Sequence, residues 1–295
     1  MKEKDNPTVS IIIPFYSHKE WLKESLESVF AQTFKDYEVI LVNDGSKEDI
    51  SDILDTFKEK IVYIEQDNKG PGAARNKGMS KAKGRFIAFE DADDIWLPNK
   101  LEKQIPFMDE RNIIWSHTGF YNWWPDTNKL QQVNVSRDYG DIFVQRLISV
   151  RTATPCIVIN RDFLISNDLK FPEDIRIGED GAFYTSISKI CPIGLVLQPL
   201  TKVRMRGSNS NTNAVERFRL NATSYLRLKD NRDCPHLVVF IKKIYYYYSL
   251  LFSGKISPVK EFFAKCLWTI PYTIERLYIR YLGLSIKKDD RYILK

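Results

Sequence analysis

Residues 86–94, Phe-Ile-Ala-Phe-Glu-Asp-Ala-Asp-Asp, run from an apolar stretch straight into the carboxylates of Glu90, Asp91, Asp93 and Asp94. Acids crowded at one strand end repel one another unless a cation sits among them. Carboxylate oxygens suit hard ions such as Mg2+ and Mn2+, which also bridge phosphate oxygens. The same residues read equally well as a solvated acidic turn, with Asp94 capping a helix whose first turn holds Pro98. Three other stretches carry residues of chemical interest. Asn43-Asp44-Gly45-Ser46 is a turn with a carboxylate that can accept from a base N–H. Lys69 to Gly78 places Arg75, suited to phosphates and carboxylates, among small residues. Gly178-Glu179-Asp180 puts two acids at a helix start, where the dipole favours them.

Periodicity supplies the elements that must position these groups. Val9–Pro14, Glu38–Val42, Ile61–Ile64 and Phe86–Phe89 read as buried strands, and Glu20–Gln32, Asp49–Phe57 and Pro71–Lys83 read as helices between them. Alternation of this kind predicts parallel βαβ units in a doubly wound α/β sheet, with ligands at the carboxyl ends of the strands. Each of those ends is polar: Pro14–Ser17, Asn43–Ser46, Glu65–Lys69 and the acidic cluster. A helix follows over 98–111, then an irregular stretch over 113–145, a strand within 152–160, a helix over 182–190 and a strand over 194–200. Residues 204–211 read as a polar loop. From Glu216 onward the pattern is helical, with breaks near 230–235, 253–258 and Pro271.

The chain of 295 residues is 43% apolar and 28% charged, ordinary for a fold with a sizeable core. Its N-terminal stretch does not resemble a cleavable signal, and no run of about 18 apolar residues is present to cross a bilayer. Cys156, Cys191, Cys234 and Cys266 form no CxxC pair, which removes zinc and redox motifs. Neither GxxxxGK[ST] nor GxGxxG after the first strand is present, which weighs against ATPases and dehydrogenases.

The order of the motifs is more specific than any one of them. Val-Ser-Ile-Ile-Ile-Pro-Phe-Tyr at 9–16 is followed by Asn-Asp-Gly-Ser at 43–46 and Gly-Pro-Gly-Ala-Ala-Arg-Asn-Lys-Gly at 70–78. Phe-Glu-Asp-Ala-Asp-Asp at 89–94 and Gly-Glu-Asp at 178–180 complete the series. Over roughly residues 7–210 the chain resembles the inverting family 2 glycosyltransferases of the GT-A fold, of the bacterial surface-polysaccharide type. The resemblance implies a mostly parallel, doubly wound sheet flanked by helices. It implies a catalytic domain at 1–215, with a nucleotide-binding half at about 7–95 and an acceptor-binding half at about 95–215. A helical C-terminal extension follows at 216–295. It further implies transfer from a nucleotide sugar, a UDP-sugar first, to a hydroxyl of a glycan or lipid-linked oligosaccharide.

The resemblance also assigns roles. Pro14, Tyr16 and Asp44 line the base and ribose pocket, with Asp67 and Lys69 at its border. Arg75 helps bind the nucleotide and steadies the acids. Asp91-Ala92-Asp93 is the DxD motif, in which Asp93 binds Mn2+ or Mg2+ directly and Asp91 lies nearer the ribose. Asp180 is the catalytic base, Arg206 stands where the family often has a histidine and meets the diphosphate as a cation, and Arg204 is counted with it among the nucleotide-sugar-binding residues. Asn43 stands where the family often has Asp. Glu90 stands where it often has an apolar residue, and sequence alone assigns Glu90 no role. Trp96, Trp115, Trp123 and Trp124 are candidates to stack on sugars. Two alternatives stay open: a nucleotidyltransferase-like enzyme, and an inactive glycan-binding module on the same fold.

The net charge of +6 lies in the tail: residues 236–295 hold 11 Lys/Arg, 4 Asp/Glu and 13 of the 38 aromatics. Lys242, Lys243, Lys260 and Lys265 alternate with Phe262, Phe263 and Trp268. Basic aromatic helices suit anionic membrane surfaces, and no nucleic-acid module accompanies the charge. The expected place is the cytoplasm, peripheral to the inner face of the cell membrane.

Overall fold

The structure, a computed structural model, describes residues 6–57, 60–148, 152–175, 178–206, 221, 234–252, 257–285 and 289–295. The chain forms two compact units: Met1–Asp141 with Arg151–Met205 and Asp289–Lys295, and Ile142–Val150 with Arg206–Lys288. The first is built on a sheet and the second on helices. The last residues thus return to the sheet rather than staying with the helical extension.

The apolar runs of the N-terminal half become β1 (Val9–Phe15), β2 (Tyr37–Asp44), β3 (Ile61–Gln66) and β4 (Phe86–Phe89). They pair in parallel in the order β3-β2-β1-β4. They are crossed by α1 (Lys19–Phe30), α2 (Ser51–Phe57) and α3 (Pro71–Met79). Parallel pairing puts the C-terminal ends of all four strands on one edge, where Phe15, Asp44, Gln66 and Phe89 end their strands. Leu22, Leu26 and Val29 of α1 pack into the same core as Ile11, Ile13, Val39 and Leu41. Every one of these side chains is fully excluded from solvent.

Beyond the acidic turn lie β5 (Ile95–Trp96), α4 (Lys100–Glu110), β6 (Trp115–Trp124) and β7 (Lys129–Gln132). After α5 (Phe143–Ile148), which belongs to the helical unit, come β8 (Val158–Asn160), α6 (Arg161–Ser166), α7 (Glu179–Ser188), β9 (Ile193–Arg204) and, near the C-terminus, β10 (Ile293–Leu294). The sheet continues from β4 through antiparallel β8 to β6, β9 and β10. Three expectations fail here. Residues 115–124, expected to be irregular, form a ten-residue strand at the middle of the sheet. Its Ser116, His117 and Thr118 are buried, so no polar alternation marks it; Gln104 Nε2 donates to Ser116 Oγ and His117 Nε2 bonds to the Asp138 carbonyl. Asp94 caps no helix: β5 follows it, and α4 starts at Lys100 with Asn99 as its cap. Arg204 closes β9, which reaches back to pair with β5 through Trp96↔Thr201, and is not part of a solvated loop.

The helical unit holds α8 (His236–Leu251) and α9 (Pro258–Ser285), with α5 beside them. Ile241, Tyr245, Phe252 and Ala264 form its centre, and Leu147, Cys234 and Val238 a second cluster. Pro271 lies inside α9 without breaking it, contrary to expectation. Residues 207–211 of the expected loop, most of the 216–233 pattern, and Lys255, Lys287 and Lys288 lie outside the described residues.

Candidate active site

Arg75 organises the strand-end edge. It lies one turn into α3, 5% exposed, and each terminal nitrogen holds a different carboxylate. Nη2 lies 2.7 Å from Asp91 Oδ1 and Nη1 lies 2.9 Å from Glu179 Oε1. The guanidinium also stacks over Phe171 at 5.3 Å. Burial opposes its charge, but Asp91, Tyr184 and Glu179 more than offset that, so its pKa is raised and it stays a cation. Burial pushes the Glu179 carboxyl above the usual range, and Arg75 pulls it back in part. The close approach needs the small residue at position 72. A Cβ there would meet the Pro172 carbonyl oxygen at 3.0 Å and Glu179 Cγ at 3.2 Å. Glu179 is the partner that sequence reasoning missed; its signals were the paired acids of Gly178-Glu179-Asp180 and the small residues around Arg75.

Asp180 follows directly in the first turn of α7, whose N-cap is Gly178. It is therefore a first-turn acid, not the cap. Its Oδ1 accepts from the Gly181 N–H at 2.6 Å, and its Oδ2 accepts from Thr154 Oγ1 at 3.4 Å. The side chain remains partly exposed. Beneath it Phe89, Phe171 and Phe183 pack together, with Phe171 and Phe183 stacked at 3.9 Å, tying β4 to α7.

The four acids of the cluster separate. Glu90 is wholly buried on the α1 side of β4, where Ser25 Oγ lies 3.5 Å from Oε1 and Oε2 has no partner. Burial, then Asp94 and Asp91, push its pKa well up. Asp94 is buried and its Oδ1 accepts from the Arg204 N–H at 2.7 Å. Asp91 and Asp93 remain partly exposed, with 26% of the Asp91 side chain open. Ala92 between them packs against the core. Among the described residues no group of three or more His, Cys, Asp or Glu gathers for a metal. A pair of hard carboxylates still fits Mg2+ or Mn2+, ions that one or two carboxylates hold together with substrate phosphates.

Arg204, expected among the nucleotide-sugar-binding residues, is turned inward and 5% exposed. Its Nε donates to the Asp93 carbonyl at 2.7 Å, its Nη2 pairs with Glu24, and its guanidinium lies between Trp21 at 5.0 Å and Trp123 at 4.5 Å. The reason is the β5–β9 pairing, which draws the end of β9 under the acidic turn. Arg204 thus positions Asp93 and Asp94. Arg206 is exposed and falls in the helical unit. Trp96 and Trp115 are core residues whose indole N–H groups donate to the Pro155 and Cys191 carbonyls, so neither offers a face to a sugar.

At the other end of the edge Asp44 is 4% exposed. Oδ1 accepts from Gln66 Nε2 at 2.8 Å and the Lys69 N–H at 2.9 Å, and Oδ2 accepts from the Gly70 N–H at 2.9 Å. These bonds use three of the about four acceptor positions a carboxylate offers, leaving one on Oδ2. Gly45 has φ 76°, and a Cβ there would lie 2.7 Å from the Asn68 nitrogen, so only glycine fits the turn. Asn43 Oδ1 accepts from the Ser46 N–H and its Nδ2 donates to the Tyr63 hydroxyl, a turn-holding use that needs no charge. Pro14 is half-buried; Tyr16, Asp67 and Lys69 are exposed along the same edge.

A family model described as "Glycosyl transferase family 2" matches residues 10–166. The putative teichuronic acid biosynthesis glycosyltransferase TuaG of Bacillus subtilis (strain 168) is 32% identical over 191 residues, 62% of this chain and 73% of that one. The UDP-Glc:alpha-D-GlcNAc-diphosphoundecaprenol beta-1,3-glucosyltransferase WfaP of Escherichia coli is 38% identical over 115 residues, 38% of this chain and 46% of that one. Rickettsial glycosyltransferases match at 34% to 39% over 223 residues, but the chain spans only about a third, 32% to 37%, of their length. Among solved structures, S. aureus TarS 1-349 in complex with UDP superposes with a TM-score of 0.60 at 20% identity, covering 82% of this chain and 70% of that one. The mostly parallel sheet with flanking helices is thus the GT-A fold. Sequence model, relatives and architecture agree, and the chain belongs to glycosyl transferase family 2.

Proposed function

We propose that this glycosyltransferase moves a sugar from a nucleotide donor, a UDP-sugar first, to a hydroxyl of a lipid-linked glycan, with inversion, in surface-polysaccharide assembly. One observation carries the reading: Arg75 joins Asp91 of the DxD motif to Glu179, the residue before Asp180. A single buried cation thereby couples the proposed donor carboxylates to the proposed base. The names of TuaG and WfaP support a polysaccharide product and a lipid diphosphate acceptor.

In this reading the remaining acceptor position of Asp44 takes a base N–H, beside Pro14, Tyr16, Asp67 and Lys69. Asp91 and Asp93 would hold Mn2+ or Mg2+. Such an ion supplies Lewis-acid stabilisation of the departing nucleoside diphosphate. Asp180 removes the proton from the acceptor hydroxyl as its oxygen bonds to the anomeric carbon. The bond from that carbon to the phosphate oxygen breaks on the opposite face, and its electron pair leaves with the diphosphate. Attack opposite the leaving group inverts the centre.

The test is nucleoside diphosphate release from nucleotide sugars with Mn2+ or Mg2+, with the product's anomeric configuration read by NMR. Asp93→Asn and Asp180→Asn should each lose about 10²–10³ in rate. Full activity in either folded variant would sink the site assignment, and a retained configuration would sink the inverting mechanism.

A further inference from the structure

Among the described residues of the helical unit, large apolar side chains lie exposed on its two long helices. Among the described residues 18 large apolar side chains are exposed, and 13 of them lie between Leu237 and Tyr281. They are not scattered. On α8, Leu237, Phe240, Tyr247 and Leu251 recur at helical spacing along one face, while Val238, Ile241 and Tyr245 fill the interior from the next. On α9, Val259, Phe263, Ile270, Leu277 and Tyr281 make a second exposed stripe, about a third of a turn from the inward Ala264, Pro271 and Glu275. Among the described residues, each helix therefore turns one face inward and keeps a second, apolar face exposed. Soluble surfaces rarely keep patches of this kind without an occupant.

Charge and length identify that occupant. Residues 236–288 carry nine Lys/Arg against two Asp/Glu, a net +7. Lys243 lies over the Tyr247 ring at 6.0 Å, and the Lys265 side chain is 67% exposed, so cations border the apolar stripes. A second copy of this face would bring the same excess of positive charge against itself, whereas anionic lipid headgroups complement it. The 28 residues of α9 would extend about 42 Å, enough to span a bilayer core. Yet no helix among the described residues is apolar enough to cross, because Lys260, Glu261, Lys265 and Glu275 interrupt it. A helix with an apolar face, basic borders and aromatic side chains lies along the interface instead.

We propose that the exposed stripes of α8 and α9 insert into the interface of an anionic bilayer, with the bordering lysines at headgroup level. This deepens the reading of a lipid-linked acceptor by naming the surface that meets the lipid, and its test needs no turnover. The full chain is floated with phosphatidylglycerol/phosphatidylcholine vesicles and with pure phosphatidylcholine vesicles. Wild type should float with the anionic vesicles and stay bound in part at about 0.5 M salt, where screening removes purely ionic attachment. Phe263→Glu/Leu277→Glu should lower the bound fraction about tenfold. Lys243→Glu/Lys265→Glu should lower it several-fold on anionic vesicles only, and circular dichroism checks that both remain helical. Failure of wild type to float, or both folded variants floating like wild type, overturns the proposal. So does sedimentation showing a dimer that Phe263→Glu/Leu277→Glu dissociates, which gives the face to a second copy. Vesicle binding without sugar transfer would leave this surface standing and sink the transferase reading; transfer without vesicle binding would do the reverse.

Discussion

Arg75 in the sheet unit and Lys242 in the helical unit are both buried cations held by carboxylates, and their surroundings differ in one respect. Arg75 is 6% exposed at its side chain, but its partner Asp91 keeps 26% open. Lys242 and Glu275 lie 3.0 Å apart at 2% and 5%, and the Tyr245 hydroxyl donates to the other Glu275 oxygen at 3.1 Å. The first network ends on a carboxylate that solvent and ligand can reach. The second is closed to solvent at both of its charges, Lys242 also donating to the half-buried Asn221 Oδ1, and joins α8 to α9. A buried charge network is thus a sign of function only when one of its charged members remains accessible, because networks with every charge buried serve packing equally well.

The largest expected effect tests the open network. Arg75→Met leaves Glu179 and Asp91 without their shared cation and should cost about 3–5 kcal/mol of stability. It should also lower nucleoside diphosphate release by about 10²–10³ or more in the folded fraction. Urea unfolding and a release assay check the two parts. Asp93→Asn sharpens the contrast: the same rate loss is expected with stability within about 0.5 kcal/mol of wild type. Loss of stability alone in Arg75→Met would make the two networks equivalent.

The closed network comes next. Lys242→Met strands Glu275 and should also cost about 3–5 kcal/mol, but with no change in release per folded molecule. Replacing Lys242, Tyr245 and Glu275 together, Lys242→Met/Tyr245→Phe/Glu275→Leu, should recover most of that loss, since packed apolar side chains substitute well for a buried ion pair and the half-buried Asn221 amide can turn to solvent. A rate defect in the folded triple variant would break the comparison from the other side.

What the sequence disclosed follows the same division. The parallel half was legible because β1 and β2 are buried on both faces and read as continuous apolar runs, and because turns such as Asn43–Ser46 carry their own chemistry. Asp91, Asp93 and Asp180 stood out by motif. Glu179 as the partner of Arg75 did not, since 104 residues separate them and only the packing of α3 against α7 joins them. β6 was hidden because its partner β9 lies about 80 residues on and its buried polar residues mask any period. The helical unit was legible only as composition: basic and aromatic, with no hint that Pro271 stays within α9.

A third buried cation separates burial from pairing. Lys100 is fully excluded from solvent, donates to Gln104 Oε1 at 2.9 Å and lies 4.1 Å from the centre of the Trp96 ring, with no carboxylate in hydrogen-bond reach. Burial lowers its pKa to about 8. For a base whose folded pKa is depressed, stability is fully present above the unfolded pKa near 10.5 and is lost as pH falls toward 8. At pH 7 that cost is about 3 kcal/mol. Lys100→Met should therefore gain about 1–3 kcal/mol over wild type at pH 7, the lost bond to Gln104 taking back part of it. The gain should shrink as pH rises from 8 to 10.5, as urea unfolding at pH 7 and pH 10 will read. A gain independent of pH would mean that Lys100 keeps its proton as Arg75 does.

The smallest effects test the packing that sets the open network. Alanine at Gly72 adds up to about 1 kcal/mol of helix propensity. Its Cβ, however, would crowd the Pro172 oxygen at 3.0 Å, Glu179 Cγ at 3.2 Å and Phe171 Cβ at 3.4 Å. Crowding against backbone typically costs about 1–3 kcal/mol, so the net change should be a loss of about 1 kcal/mol. Gly181, in the first turn of α7, is the control, because a Cβ there meets nothing within 4 Å. Gly181→Ala should stabilise by about 0.5–1 kcal/mol through propensity alone. If Gly72 serves the Arg75–Glu179 contact, Gly72→Ala should lower the release rate several-fold while Gly181→Ala leaves it near wild type. Equal rates in the two variants would show that the site tolerates a shift of α7, and that the bridge from Arg75 to Glu179 fixes packing without fixing Asp180.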